Sequence, residues 1–268
     1  MDIIADLARP LPAIVSAEML GLPPEDWLQL TAWSGAFAEI LGNFQHDPDS
    51  VTRVLRSVEE MTAYLRHAIR DQTENPRDGL LGALVHTEVD GDRFSEEEVI
   101  ANTIITMVGG QETTTNLIGN GILSLLQRPE QWERLKSEPS LLPSAVEELL
   151  RYESPSQHTA RLAPEDTELG GNVIRKRDGV IAVLGAANRD PEQFADPDRL
   201  DLGRADNRHV AFGWAAHFCF GASLARIEGQ QAFASLARRM GDMRLTPEPL
   251  TWRPNLGLRG LEALPIEF

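Results

Sequence analysis

The sequence predicts a mostly helical protein with a small β region. Three observations lead to this prediction: amphipathic segments with apolar residues at spacings of three and four, one apolar helix of unusual length, and short alternating segments from His158 onward. With 268 residues, the chain can bury a sizeable core as one large domain or two small ones. We find no internal repeat or low-complexity segment, and we expect residues 1–268 to form a single domain.

Composition and charge exclude several classes of partner. The formal net charge of −16 would repel phosphates, so nucleic acid and anionic membrane surfaces are not expected partners. The single cysteine, Cys219, forbids an internal disulfide and fits a reducing cytoplasm. No apolar run is long enough to predict a membrane span, and residues 1–20 lack the features of a signal peptide.

Helical periodicity dominates the beginning of the chain. Residues 3–43 read as helical, with an interruption at residues 20–24 and a new helix starting near Glu25. Residues 50–74 form a second amphipathic segment. It ends at residues 75–79, whose composition is typical of a loop.

The longest predicted helix follows. Ser95 and Glu98 form a capping box, and no proline interrupts the sequence before Pro129. The spacing predicts a helix over about residues 96–127, roughly 48 Å long at 1.5 Å per residue. Its first part, Val99–Val108, is apolar nearly all round, which predicts burial within the protein.

Shorter elements are predicted in the second half. Ser144 and Glu147 resemble a second capping box, which predicts a helix ending near Tyr152. Alternation then predicts short strands, with turns at Gly170-Gly171 and Asp178-Gly179. The remaining predictions are strands over 158–163, 172–175 and 180–184, a helix over 222–240 and a strand pair within 252–268.

The segment around Cys219 carries most of the functional signal. A thiolate is a strong axial ligand for haem iron and must lie in a rigid, sheltered loop. Gly213 and Gly221 remove side chains where the backbone would approach a flat macrocycle, and His217 is placed to reach a haem propionate. A helix starting near Ala222 would direct free amides towards the sulfur and stabilise negative charge there.

Other readings of this cysteine stay open on chemistry alone. A lone cysteine is most often a buried, unreactive side chain. A zinc site would need two further ligands beside Cys219 and His217, and no convincing pair is present. A Cys/His nucleophile is compatible with the composition, but the usual flanking signature is missing.

The pattern around the cysteine resembles a known family motif. From Phe212 to Arg226 the chain reads F-G-x-x-x-H-x-C-x-G-x-x-L-A-R, which is similar to the haem-binding loop of cytochromes P450. The resemblance implies haem b as the cofactor, with Cys219 as the iron ligand. It also implies cofactor contacts from Phe212, Gly213, His217 and Gly221. One departure is Ala215, where the family usually has glycine.

A second motif lies in the long helix. Residues 109–114, G-G-Q-E-T-T, resemble the family's oxygen-activation motif, in which Glu112 and Thr113 would deliver protons during catalysis. Gly109 and Gly110 each cost about 1 kcal/mol relative to alanine inside a helix. A local opening of the helix beside the iron would explain them, and a packing role for the glycine pair is the alternative.

Two further matches concern arginines. Glu148 and Arg151 resemble the family's structural Glu-x-x-Arg pair, which joins an arginine from the segment before the cysteine loop; Arg199 occupies the matching place. Arg161 resembles the family arginine that binds a haem propionate in a bidentate contact. The alternative for Arg161 is a solvated arginine on a surface strand.

The resemblance runs from Met1 to Phe268 and implies a cytochrome P450 fold without the family's N-terminal strands and helices. Haem would then be held by fewer contacts, chiefly from Cys219, Arg161 and His217. Apolar faces would also be left in water, and a homo-oligomer or another partner would cover them.

The leading hypothesis for function is a monooxygenase. The resemblance implies a ferredoxin or flavodoxin redox partner with its reductase, and a small organic substrate. The alternatives are a haem-binding protein without monooxygenase turnover (a sensor, carrier or weak peroxidase) and an apo oligomeric scaffold. Basic residues near the cysteine loop would form a docking patch for an acidic redox protein, or be scattered and solvated: Arg204, Arg208, His209, Arg226, Arg238 and Arg239.

Overall fold

The computed structural model describes residues 1–41 and 48–268. Its first part is helical, as predicted. A π-helical turn, Ile4–Ala8, precedes α1 (Pro10–Leu20), and Gly21 ends α1 in the left-handed conformation, with φ of 77°. Positions 42 and 43, the predicted end of the first helical segment, lie outside the described residues. The helices of this part are α1 (Pro10–Leu20), α2 (Trp27–Ile40), α3 (Pro48–Glu74) and α4 (Leu80–His86).

The long helix α5 spans Glu96–Leu126 and confirms the sequence prediction. The Glu98 amide donates to the Ser95 hydroxyl at 3.3 Å, and the Ser95 amide donates to the Glu98 carboxylate at 2.8 Å. This capping box satisfies two amides that would otherwise lack partners at the helix start. The helix is α-helical through Gly109 and Gly110, so the predicted local opening is not present.

The second capping prediction is wrong. Helix α7 spans Leu142–Tyr152 and begins two residues before Ser144, with Pro143 in its first turn, where proline is tolerated. The Ser144 hydroxyl donates to the carbonyls of Leu141 and Leu202 instead of capping. The other helices of the second half are α6 (Pro129–Ser137), α8 (Leu184–Ala187) and α9 (Ala222–Arg239).

Short antiparallel pairs make up the β region. The sequence did not reveal how the strands pair. Strand β3 (Thr159–Leu162) pairs with β6 (Gly179–Ala182), with Arg161 opposite Val180, and β4 (Thr167–Leu169) pairs with β5 (Asn172–Ile174). The β4 strand was not predicted, and Gly170 and Gly171 form its turn with positive φ. The strands are β1 (Glu88–Val89), β2 (Asp92–Arg93), β3 (Thr159–Leu162), β4 (Thr167–Leu169), β5 (Asn172–Ile174), β6 (Gly179–Ala182), β7 (Arg244–Leu245) and β8 (Ile266–Glu267).

The C-terminal tail forms less regular structure than predicted. A strand pair within 252–268 was predicted, but strand β8 pairs with β7, which lies before this range. Within the range, Trp252 and Leu261 form only an isolated bridge. This tail returns to the N-terminus, where the Ile3 amide donates to the Leu264 carbonyl at 2.9 Å.

Helix α5 connects two hydrophobic cores. Leu117 and Ile118, in its second half, pack with side chains of α7 and α9, such as Phe233. Val99 and Met107, in its first half, belong to a separate core formed with α1 to α4. Sharing one rigid helix fixes the two cores relative to each other. Across the described ranges, no helix is long and apolar enough to cross a membrane.

Candidate functional site

The cysteine lies in a tight loop immediately before α9. The Cys219 amide donates to the Phe212 carbonyl at 2.9 Å, which closes the loop on itself. Gly213 has φ of 72°, and a Cβ atom there would lie 3.4 Å from the His217 carbonyl oxygen. Ala215 also has positive φ, 55°, which explains why glycine would suit this position better. The thiol is half-buried and forms no disulfide.

Above the loop is a cavity of about 630 Å³. Gly109, Thr113 and Leu117 recur every four residues on α5 and form one wall, while Cys219 forms part of another. Its volume lies within the usual range of cofactor sites. Most of the lining is apolar: Leu117, Leu150, Pro155, Val180, Ala182, Val183, Leu184, Ala187, Val210, Ala211, Phe212 and Trp214.

The structure brings most of the predicted site residues to this cavity. Phe212, Gly213, His217 and Cys219 line it from the loop, and Arg161 lines it from β3. Gly221 is not part of the lining, but it lies beside the thiol: a Cβ atom there would be in van der Waals contact with the Cys219 sulfur, at 3.8 Å.

Arg161 supplies positive charge at the edge of the cavity. Its guanidinium donates to the Thr159 hydroxyl and the Ala160 carbonyl, both at 2.7 Å. No carboxylate within the described part of the chain forms an ion pair with it, so its charge is available to an anionic group. His217, also on the lining, is exposed at the end of the 3₁₀ turn Ala215–His217.

The two predicted proton-transfer residues face different surroundings. The Thr113 hydroxyl lines the cavity and donates to the Gly109 carbonyl at 2.9 Å. Glu112 is buried on a different face of α5, where its carboxylate accepts from Arg253 and lines a second cavity. Adjacent helical residues diverge by about 100°, so sequence adjacency does not place the carboxylate in the first cavity.

The Glu-x-x-Arg pair forms a fully buried network. Glu148 accepts from Arg151 at 2.8 and 2.9 Å, and both side chains have 0% exposure. The third member is Arg204, which donates to Glu148 at 3.0 Å. The assignment of Arg199 is wrong, because its side chain is exposed and only its backbone carbonyl joins the network, accepting from Arg151 at 3.2 Å.

A second network next to the loop was missed. Glu147 accepts a bidentate pair of hydrogen bonds from Arg226, at 2.7 and 2.9 Å, and a third from the His209 ring at 3.1 Å. The Ala211 amide donates to Nδ1 of His209 at 3.2 Å, so Nε2 carries the hydrogen that faces Glu147. Burial raises the pKa of Glu147, but the hydrogen bonds from His209 and Arg226 outweigh it and lower the pKa to about 2.

These contacts remove most of the predicted basic docking patch. Arg204 binds Glu148, and Arg226 and His209 bind Glu147, so all three face inward. Arg208 is exposed but pairs with Asp206. The sequence shows that these residues are basic, but it does not show that carboxylates from distant parts of the chain bind them.

One buried carboxyl in α9 has no counterpart in the sequence predictions. Glu228 is 5% exposed, and its Oε2 atom has no hydrogen-bond partner in the described part of the chain. Burial raises its pKa to about 7. A single glutamate in a helix with many polar residues gives no signal of burial, so only the packing of α9 reveals it.

Comparison with known proteins identifies the family. The sequence model of the family described as Cytochrome P450 matches residues 37–240. The chain belongs to the cytochrome P450 family. It is 41% identical over 270 residues to the polyketide biosynthesis cytochrome P450 PksS of Bacillus subtilis, covering 100% of this chain and 65% of that protein. It is 41% identical to the cytochrome P450 monooxygenase PikC of Streptomyces venezuelae, covering 63% of that protein.

Solved structures of the family share the fold. The crystal structure of P450BioI in complex with an acyl carrier protein carrying hexadec-9Z-enoic acid has a TM-score of 0.95 and 40% identity, covering 100% of this chain and 68% of that one. The structure of PksS has a TM-score of 0.92. The chain therefore has the cytochrome P450 fold and spans about two thirds of the length of these relatives.

Cytochromes P450 bind haem b through a cysteine thiolate, and this cavity fits that group. It offers a sulfur donor, Cys219, on a closed loop, and a lining glycine, Gly213, that carries no side chain to obstruct a flat group. Arg161 places a cation on the lining, of the sign that a carboxylate group of such a cofactor requires. Across residues 1–41 and 48–268, no cluster of three or more His, Cys, Asp and Glu side chains offers a competing metal site.

Proposed function

We propose that this protein is a haem-thiolate monooxygenase. The observation that carries the proposal is the placement of Cys219 and Thr113 on one cavity, the sulfur on the loop and the hydroxyl on α5. Cys219 would ligate the iron, Phe212 would pack against the macrocycle, and Gly213 and Gly221 would leave room for it. When bound, haem supplies the activation of dioxygen and the insertion of an oxygen atom into a C–H bond.

The propionates of haem need partners at the cavity rim. Arg161 is suited to this role, because its guanidinium has donors left over beyond its two local hydrogen bonds. His217 lines the same cavity from the loop and would serve as a second donor.

Thr113 and Glu112 would handle protons in two stages. The Thr113 hydroxyl donates to the Gly109 carbonyl at the cavity wall. Rotated away from that carbonyl, it would donate its one hydrogen to a bound group while its oxygen accepts a hydrogen bond from water. Glu112 lies in the neighbouring cavity, held by Arg253. Protons from solvent would therefore reach Glu112 first and cross α5 at Thr113.

The lining of the first cavity favours an apolar substrate. Leu117, Val180 and Val183 offer no hydrogen bonds from their side chains, so recognition would depend on apolar contact and shape. We propose a small organic substrate that shares this cavity with haem. Exclusion of water by these side chains would also protect the reaction from side products.

Electrons would come from a ferredoxin or flavodoxin and its reductase. The loop presents exposed aromatic side chains, Trp214 at 79% and Phe220 at 74% exposure, which could cover part of such an interface. The single free cysteine suits a reducing cytoplasm. A homo-oligomer would cover exposed apolar side chains elsewhere, such as Leu162 and Ile181 on the β3–β6 pair.

An absorbance spectrum tests the cofactor assignment. The purified chain is reconstituted with haem, reduced with dithionite and exposed to carbon monoxide. We expect a strongly red-shifted Soret band that Cys219→Ala abolishes and Ser223→Ala, at an exposed position in the first turn of α9, leaves unchanged. No haem band, or the band of a neutral axial ligand, would contradict the proposal.

Turnover then separates monooxygenase from simple haem binding. The haem-loaded chain is supplied with a ferredoxin, its reductase and a set of apolar candidate substrates. Oxygenated product that depends on both substrate and electron donor supports the proposal. Haem binding with hydrogen peroxide as the only product would indicate a haem protein without coupled turnover.

A further inference from the structure

A second cavity, of about 760 Å³, adjoins a different face of α5 from the haem site. Residues before α1, helices α2 and α3, and the C-terminal tail form the rest of its lining. Its charged lining consists of Arg9, Arg53, Arg56, Arg253, Glu39 and Glu112. Four arginines against two glutamates give this lining a net charge of +2. The whole chain carries a net charge of −16, so the lining of this cavity is positively charged although the protein as a whole is negatively charged.

The two glutamates form ion pairs with only two of the four arginines. Arg53 pairs with Glu39 at 2.8 Å, and Arg253 pairs with Glu112. Arg9 and Arg56 also line the cavity, and their guanidinium groups have no hydrogen bond or ion pair to any residue that the structure describes. Unpaired like charges around a concave surface repel one another, and the cleft concentrates their field.

Polar and apolar groups complete the cavity. Thr31 lies on the lining, and its buried hydroxyl has no hydrogen-bond partner among residues 1–41 and 48–268. A buried hydroxyl without a partner costs free energy that a bound polar group would recover. Trp27, Leu28 and Leu261 provide apolar surface beside the arginines.

We propose that this cavity binds a small organic anion through a phosphate or carboxylate group. Arg9 and Arg56 provide the free cationic donors, and Arg253 provides a third that it shares with Glu112. The planar guanidinium matches both oxyanions in bidentate geometry, so the arginines fit this ligand class better than an isolated halide. The body of the ligand lies on Trp27 and Leu28.

Sharing Arg253 couples this site to the proposed proton path. An anion that binds Arg253 competes with the Glu112 carboxylate, so each weakens the hold of the other on the guanidinium. Occupation of the cavity thereby releases Glu112 from its ion pair. This coupling rests on the proposed role of Glu112 in the proton path, whereas binding of the anion does not.

Calorimetric titration of the full chain, with and without haem, tests the binding. The probes are phenyl phosphate and benzoate at constant ionic strength, with benzyl alcohol as the neutral control. We expect saturable binding of one anionic probe per chain and none of benzyl alcohol. The tighter of the two anions assigns the phosphate or the carboxylate class. Absence of saturable binding for both would overturn the proposal.

Variants locate the site. Arg9→Gln/Arg56→Gln should weaken binding about tenfold or more. Arg9→Lys/Arg56→Lys keeps the charge but loses the bidentate guanidinium, so it should weaken binding less than the glutamine pair does. Arg238→Gln/Arg239→Gln, at the exposed end of α9, is the matched control and should bind like the wild type. Equal weakening in both glutamine pairs would show nonspecific attraction and overturn the proposal. Circular dichroism verifies folding of each variant.

The coupling has its own signature. Glu112→Gln removes the carboxylate that competes for Arg253, so it should tighten binding of the anion about threefold or more, while Arg253→Gln should weaken it. A variant Glu112→Gln that binds no more tightly than the wild type would overturn the coupling. Because these titrations do not require haem, their failure is distinguishable from failure of the haem spectrum.

Discussion

Replacing Ala215 by glycine should stabilise the protein. Ala215 has φ of 55°, in the left-handed region, and its side chain is exposed, so removal of the methyl group leaves no cavity. The left-handed conformation costs an L-residue about 1–2 kcal/mol. Glycine avoids this cost but adds about 0.4–1 kcal/mol of entropy to the unfolded chain. The difference predicts a net gain of about 0.5–1 kcal/mol in the free energy of unfolding.

The neighbouring alanine is a matched control. Ala216 is also exposed and lies in the same 3₁₀ turn, but its φ is not positive. Ala216→Gly gains no relief of strain and should lose about 0.4–1 kcal/mol. Urea denaturation of both variants measures the two changes under the same conditions. If Ala215→Gly lowers the free energy of unfolding by as much as Ala216→Gly, the backbone strain attributed to this loop is wrong.

Three further predictions concern other named side chains. Arg204→Gln removes one partner of the buried Glu148 carboxylate and should lower the free energy of unfolding, measured by urea denaturation, by about 2 kcal/mol. This is less than the ~3–5 kcal/mol of a fully broken buried pair, because Arg151 remains. The exposed control Arg199→Gln should cost under about 0.5 kcal/mol, and equal losses in the two variants would contradict the network. Burial raises the pKa of Glu228 from 4.5 to about 7, so the unfolded chain loses its proton first and stability falls as pH rises through this window, by about 3 kcal/mol. Glu228→Gln should abolish this loss, and a stability difference between variant and wild type that is the same at pH 4 and pH 8 would refute the assignment. Thr113→Val should leave the spectrum of the reduced, carbon monoxide-bound protein intact but lower the product formed per electron about tenfold or more. Thr113→Ser keeps the hydroxyl and should keep the wild-type yield per electron. An unchanged yield in the valine variant would show that the hydroxyl is not part of the proton path.

Local sequence chemistry was sufficient for several parts of the fold and site. The start of α5 follows from Ser95 and Glu98, because a capping box involves only residues three apart. The turn at Gly170 and Gly171 follows from the backbone freedom of glycine. The loop around Cys219 is equally local, because its glycines and its hydrogen bond from Cys219 to Phe212 lie within one short segment.

Tertiary structure decided which partner each polar side chain takes. Ser144 failed as a cap because its hydroxyl donates to carbonyls, including that of Leu202. Glu148 selects Arg204 over Arg199 because the irregular segment before the loop folds back and buries one arginine against it. Spacing along the chain could not distinguish the two, since the choice depends on how a distant segment folds.

The sequence by itself therefore determined the helical class, the long helix α5 and the thiol loop with Cys219, since each depends on contacts between residues near in the chain. Only the tertiary structure decided that Thr113 faces the cavity lined by Cys219 while Glu112 faces a second, arginine-lined one. The physical reason is that ion pairs such as Glu112 with Arg253 join residues distant in sequence. Their partners are set by the packing of α5 against the tail.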